Sequence, residues 1–186
     1  MTNLVAPPPS IATTQPVERA VDVMRNPSIR PVGGEALPRI TLVTPCRNHG
    51  EFLEAAILSI LEQGYPNLEY IIMDGGSDDQ STAIIARYER YLTHWASRHD
   101  DGPYHALQAG LARATGEIMG WLNADDMLHR TALWSVAEIF QQLPAVEWLT
   151  GTPMLYAPRG RTYVPHCRNR WSRARYLRGD YQFIQQ

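Results

Sequence analysis

The sequence predicts an α/β fold with a mostly parallel central sheet flanked by helices, and three observations carry that expectation. From Ile40 onward, short apolar runs rich in β-branched residues alternate with segments of helical periodicity. Glycine or proline punctuates the junctions, as at Gly64, Pro66, Gly116 and Pro144. Three of the apolar runs end in polar residues, so the chemistry-bearing side chains collect where strands stop.

Residues 1–38 hold seven of the fourteen prolines and little apolar periodicity, so they read as a disordered leader with a short helix near Val17–Met24. Residues 39–186 then form the domain. The run at 40–44 (ITLVT), ended by Pro45, reads as a buried strand. In residues 51–63, Phe52, Ala56 and Ile60 recur beside Leu53, Ile57 and Leu61, which gives a helix with a broad apolar stripe. EYIIM (69–73) is a second buried strand, broken at Asp74-Gly75-Gly76-Ser77. Ser81 caps a helix running to Tyr91, and residues 93–97 form a short third strand. Tyr104, Leu107, Leu111 and Ala114 mark another helix, closed by Gly116. EIMGWL (117–122) is the next buried strand, and a helix follows near 131–143. Residues 147–164 read as two or three strands with a turn at Pro158–Gly160, and 171–178 as a short helix.

Composition excludes several classes. A net charge of −2 over 186 residues argues against general nucleic-acid binding. The charge is uneven, because seven of the seventeen arginines fall in 159–186 against Asp180 alone. That basic segment suits either a solvated face or contact with phosphate, an acidic lipid surface or another subunit. Cys46 and Cys167 match no zinc or redox spacing. No stretch reads as a signal peptide or reaches membrane-spanning length. The expectation is a cytoplasmic protein, at most peripheral at the inner face of the membrane.

In open α/β sheets, ligands bind beyond the carboxyl ends of the strands, at a topological switch point. Here those ends carry Pro45-Cys46-Arg47-Asn48, Asp74 with its glycines, and Asp125-Asp126. Carboxylates crowded on one rim repel unless a cation intervenes, and hard oxygen ligands favour Mg²⁺ or Mn²⁺. Each element has a plainer alternative, Asp126 as a helix cap and Asp74 as an ordinary turn residue. Neither GxGxxG nor GxxxxGK[ST] occurs, against a dinucleotide-binding or P-loop enzyme. The histidines at 49, 94, 99, 129 and 166 show no ligand spacing, and Trp95, Trp121, Trp134 and Trp148 read as core.

The runs ITLVTPCRNHGEFLEAAILSILEQGYPNLEYIIMDGGSDD and HDDGPYHALQAGLARATGEIMGWLNADD resemble glycosyltransferase family 2, inverting enzymes of the GT-A fold. The resemblance covers roughly residues 39–186 and implies a Rossmann-like sandwich binding a nucleotide-diphosphate sugar of UDP or GDP type. It places Pro45, Cys46, Arg47 and Asn48 along the nucleoside, and Asp74 against base or ribose. Gly75 stands where many members carry a second Asp, and Asp79 matches the later acid of that loop. Asp101 and Gly102, with Tyr104 and Gln108, fall in the segment approaching donor sugar and diphosphate, where His105 and Gln108 depart from the usual Asp and Asn. Asn123-Ala124-Asp125-Asp126 matches the DxD-type motif with its first acid replaced. Asp126 is then the direct metal ligand, with Asp125 beside it facing ribose or sugar.

The implied reaction is an in-line displacement in which an acceptor hydroxyl attacks the anomeric carbon, in cell-surface polysaccharide or related glycan assembly. The acceptor is a glycan, a lipid-linked species or a small molecule. The general base is expected beyond Gln186, with Asp180 the local candidate. A module that holds nucleotide-sugar without turnover is the alternative. A nucleotidyltransferase would show a glycine- and basic-rich loop after the first strand, which is absent.

Overall fold

Ile40, Thr41, Val43 and Thr44 favour extended backbone, because β-branched side chains pack well on a pleated surface. In the computed structural model they lie in β1 (Ile40–Cys46). The structure describes residues 36–151 and two short strands at 155–157 and 161–163. After β1 come α1 (Leu53–Leu61), β2 (Leu68–Asp74), α2 (Ser81–Tyr88) and a 3-10 turn (Glu89–Tyr91). β3 (His94–Ser97), α3 (Pro103–Leu111), β4 (Ile118–Trp121) and α4 (Ala132–Gln142) follow. The four strands form one all-parallel sheet in the order β3-β2-β1-β4. The chain divides into two compact units, Met1–Val146 and Glu147–Gln186. In the second, β5 (Leu155–Ala157) and β6 (Arg161–Tyr163) pair antiparallel. The expected helices at Val17–Met24 and 171–178, the turn at 158–160, Cys167 and Asp180 lie outside the described residues.

The two-residue period of the strands sorts the core into two layers. Ile40 and Leu42 of β1, with Tyr70 and Ile72 of β2, meet α1, α2 and α4 through Ile57, Ile60, Ile84, Ile85, Leu133 and Ala137. Val43, Ile71 and Met73 point to the other face, where α3 brings Ala106. Both central strands are therefore buried on both sides, which is why they read as continuous apolar runs. Leu37 packs on the first layer and the Pro38 carbonyl accepts the Tyr65 hydroxyl at 2.7 Å. Ordered backbone thus reaches back into the end of the expected leader.

Two strands differ from expectation. β1 runs through Pro45 to Cys46. Its ladder with β4 ends at Val43 opposite Trp121, so the missing N–H of Pro45 falls beyond that ladder. The EIMGWL run is an edge of the described sheet and not a buried strand: Met119 and Trp121 are 55% and 48% exposed. Uniform apolarity does not separate an edge from an interior strand. Trp148 is also exposed, whereas Trp134 stacks edge-on against Tyr65 at 5.2 Å and Trp95 packs on the core.

A buried acid fastens the amino end of the sheet. Glu69 accepts the Thr41 hydroxyl, the Thr115 N–H at 2.7 Å and the Thr115 hydroxyl at 2.9 Å. Burial alone would raise its pKa, but the Thr115 and Thr41 hydrogen bonds and the Arg39 charge outweigh it and hold the carboxyl below its ordinary value. A depressed folded-state pKa stabilises above the unfolded value and is lost as pH falls through the folded one. Glu69→Gln is therefore expected to cost about 1–3 kcal/mol at neutral pH. The cost should shrink in acid, read as converging denaturation midpoints of variant and native chain below about pH 4.

Candidate functional site

The strand order fixes where a ligand can sit. The chain builds outward from β1 to β2 and β3, then returns to add β4 on the opposite side of β1. The switch point therefore lies between the carboxyl ends of β1 and β4. Arg47 and Asn48 leave β1 there, and Asn123–Asp126 follow β4.

The loops after β1 and β2 are knitted together by residues singled out in the sequence. Asn48 holds φ 56°, a left-handed conformation that asparagine tolerates. Its N–H donates to the Ser77 hydroxyl at 2.8 Å, and its side-chain oxygen accepts the Asp78 N–H at 3.0 Å. Asp79 accepts the N–H groups of Gly50 and Ser81, both at 2.8 Å. Bonds from Ser81 and Gly50 hold its carboxyl below the ordinary aspartate value. Ser81 is the first residue of α2 and not its cap, because its buried hydroxyl accepts the His49 N–H at 3.2 Å. Pro45 and Cys46 are buried, and burial pushes the Cys46 thiol up to about 11, which leaves it protonated and unreactive. Arg47 is exposed on the rim.

Asp74 is 2% exposed and satisfied by donors of its own loop and of β3. Its carboxylate accepts the N–H groups of Gly76 at 3.2 Å and Ser77 at 2.9 Å. It also accepts the hydroxyls of Ser77 and Ser97 at 2.5 and 2.6 Å. Gly75 is buried beside it and donates its N–H to the Cys46 carbonyl at 2.8 Å. Past these loops opens a cavity of about 530 Å³, walled by Asp74, Arg98, His99, Asp100, Asp101, His105 and Gln108 over Met73 and the alanines of α3. Gly102, at φ 117°, turns the chain into α3. The fold thus gathers Asp74, Asp101 and Gln108 in one cavity.

Asn123, Asp125 and Asp126 form a separate group beyond β4. The Asp126 N–H returns to the Asn123 carbonyl at 3.1 Å, and the Asn123 amide donates to the Asp126 carboxylate at 3.1 Å. α4 begins only after its own N-cap, Thr131, so Asp126 is no helix cap. Desolvation and the neighbouring Asp125 charge raise the pKa of Asp126 against the Asn123 bond. A pair of acids that repel at an exposed turn fits Mg²⁺ or Mn²⁺ shared with substrate phosphates and water. Among the described residues no three or more His, Cys, Asp or Glu side chains converge.

The family model described as Glycosyl transferase family 2 matches residues 41–182. The chain belongs to this family. It is 31% identical over 106 residues to an uncharacterized glycosyltransferase of Nostoc sp., covering 55% of this chain and 33% of that protein. It is 26% identical over 151 residues to a putative teichuronic acid biosynthesis glycosyltransferase, TuaG, of Bacillus subtilis, covering 71% and 58%. Among solved structures it is similar to the mannosyltransferase PcManGT of Pyrobaculum calidifontis in complex with GDP-Man and Mn²⁺. That match has 27% identity and a TM-score of 0.51, over 67% of this chain and 39% of the other. This family 2 chain spans about a third to somewhat over half the length of these relatives. Its parallel sheet with flanking helices is the GT-A fold.

Sequence reasoning missed several cavity residues of this family 2 chain. Asp100 accepts the Gly102 N–H at 2.9 Å, an Asx turn whose Asp-x-Gly spacing was readable. Ser77 and Ser97, which fill the coordination of Asp74, carried no signal. Arg98 and His99 stand out only once the loop folds over α3.

Proposed function

We propose that the described domain binds the donor of an inverting glycosyltransferase that moves a sugar from a nucleotide diphosphate to an acceptor hydroxyl. The observation that carries this reading is the Asp125–Asp126 pair in the turn that follows β4, at the switch point between β1 and β4. Asp126 would hold the cation, with Asp125 beside it toward ribose or sugar. Bound Mg²⁺ or Mn²⁺ supplies Lewis-acid charge for the departing diphosphate. Arg47, Asn48 and Asp79 shape the rim, while Asp74 holds the loop against which the nucleoside lies. The Mn²⁺ and GDP-Man bound by the Pyrobaculum mannosyltransferase support this reading. The teichuronic acid role named for the Bacillus relative supports a place in cell-surface glycan assembly.

No described helix is long and apolar enough to cross a membrane. The Arg-rich 159–186 segment supplies charge for peripheral contact at the inner face. Calorimetric titration with UDP- and GDP-sugars tests the donor site. Mn²⁺ is expected to tighten binding at least about tenfold, and chelation to reverse it. Equal affinity with and without the ion would remove the metal from this reading. A chain that binds but never releases free nucleoside diphosphate would favour the non-catalytic module.

A further inference from the structure

The cavity wall carries three acids in unequal condition. Asp74 is spent on four donors of its own loop and β3. Asp101 is exposed to solvent. Asp100 is half-buried, its Oδ1 accepts the Gly102 N–H at 2.9 Å, and its Oδ2 has no hydrogen bond among the described residues. Gly75 faces it. Gly75 does not have positive φ, so its backbone does not demand glycine. A Cβ there would lie 2.9 Å from Asp100 Oδ1 and 3.1 Å from Oδ2. The Asp100 carboxylate occupies the space a side chain at position 75 would use, and it is the sheltered acceptor left in the cavity.

The donor-site reading above sets what it meets, and the inference rests on that reading. Neighbouring strands are about 4.8 Å apart, so the β3 end of the rim lies about 14 Å from the β4 end. With the diphosphate at Asp125–Asp126, the far end of an extended donor reaches the β2–β3 cavity, where Met73, Ala106 and Ala109 offer an apolar wall to a flat ring. We infer that Asp100 reads the nucleobase there and makes the site selective for uridine diphosphate donors. Uracil presents a single ring N–H between two carbonyls, which matches one free carboxylate oxygen. Arg98 and His99, on the same wall, can donate to the carbonyls. Guanine presents a carbonyl on one side of its ring N–H and an amine on the other, so one of its two donors would meet a donor. Cytosine and adenine present an unprotonated ring nitrogen, which would set acceptor against carboxylate.

The test compares UDP, GDP, CDP and ADP by calorimetry on the full chain with Mn²⁺. UDP is expected to bind about tenfold or more tightly than the others. Asp100→Asn keeps the carbonyl that accepts Gly102 and turns the free acceptor into a donor, so preference should move from UDP toward CDP. In Asp100→Gly the preference should vanish while Mn²⁺-dependent diphosphate binding persists. Gly75→Asp added to Asp100→Gly should restore it by returning a carboxylate from the opposite side. Equal binding of all four nucleotides by the native chain, or an unchanged UDP preference in a folded Asp100→Asn chain, overturns the inference and leaves the donor site standing. No binding of any nucleotide, with or without Mn²⁺, overturns both.

Discussion

Asp126→Asn is expected to abolish the Mn²⁺-dependent part of nucleotide binding while raising the melting temperature of the metal-free chain slightly at neutral pH. The two effects have one cause. Desolvation and the Asp125 charge disfavour the ionised form of Asp126, so its folded-state pKa lies above its unfolded value. A group shifted upward favours folding below the unfolded pKa, and that contribution is lost as pH rises through the folded one. At neutral pH the native chain therefore carries a repulsion that an amide relieves. The amide keeps the size of the side chain, and its oxygen can still accept from Asn123. What it loses is the charge that would hold a divalent cation, and with it the metal-supported gain of about tenfold or more in affinity. Thermal melts with and without Mn²⁺, beside calorimetry at pH 7, read both effects. A purely structural Asp126 would lower the melting temperature and leave the metal dependence intact. That outcome would remove Asp126 from the donor site.

The contrast between Asp126 and Asp74 also shows what a sequence can disclose. Both are acids at the carboxyl ends of apolar runs, and pattern alone offers metal ligand, turn residue or cap for either. The structure separates them through contacts across the fold. Asp74 receives Ser97 from β3 beside the donors of its own loop, while among the described residues Asp126 bonds within its own turn. Strands, helices and the polar strand ends were legible because they follow from periodicity and from glycine and proline punctuation. Glu69 was not legible as a buried acid. Its partners Thr41 and Thr115 lie far from it in the chain, and within EYIIM it looks like the strand's polar start. The Gly75–Asp100 fit was hidden for the same reason, since a glycine in a turn is usually explained by its backbone. Here its φ is ordinary and its neighbour's carboxylate is what excludes a side chain.

The same distinction between backbone freedom and close approach sets the largest stability effect, expected for Gly116→Ala. Gly116 has no positive φ, so alanine imposes no backbone strain by itself. It is the surroundings that refuse a side chain: a Cβ would lie 2.6 Å from the Thr41 N and 2.9 Å from the Arg39 carbonyl oxygen. These are backbone atoms of β1 and the residue before it, and they cannot swing aside as a side chain could. Relief would require the α3–β4 loop to lift. That would stretch the Gly116 N–H bond to Thr41 at 2.9 Å and the Ile118 N–H bond to Arg39 at 3.1 Å, the first rung between β1 and β4. It would also pull Thr115 from the buried Glu69, whose charge would lose two of its donors. Overpacking of this kind costs about 3 kcal/mol or more when coupled to a buried charge. Gly120→Ala is the matched control in β4 itself, because among the described residues a Cβ there meets the Leu42 Cδ1 at 3.5 Å, an ordinary contact. Urea denaturation should find the Gly120 variant close to native and the Gly116 variant shifted to a much lower midpoint. Equal midpoints would mean that β4 is not held against β1 at this distance. The same displacement would move the start of β4 and so the Asn123–Asp126 turn that leaves it, so the Gly116 variant should also bind Mn²⁺ and nucleotide more weakly although it alters no site residue.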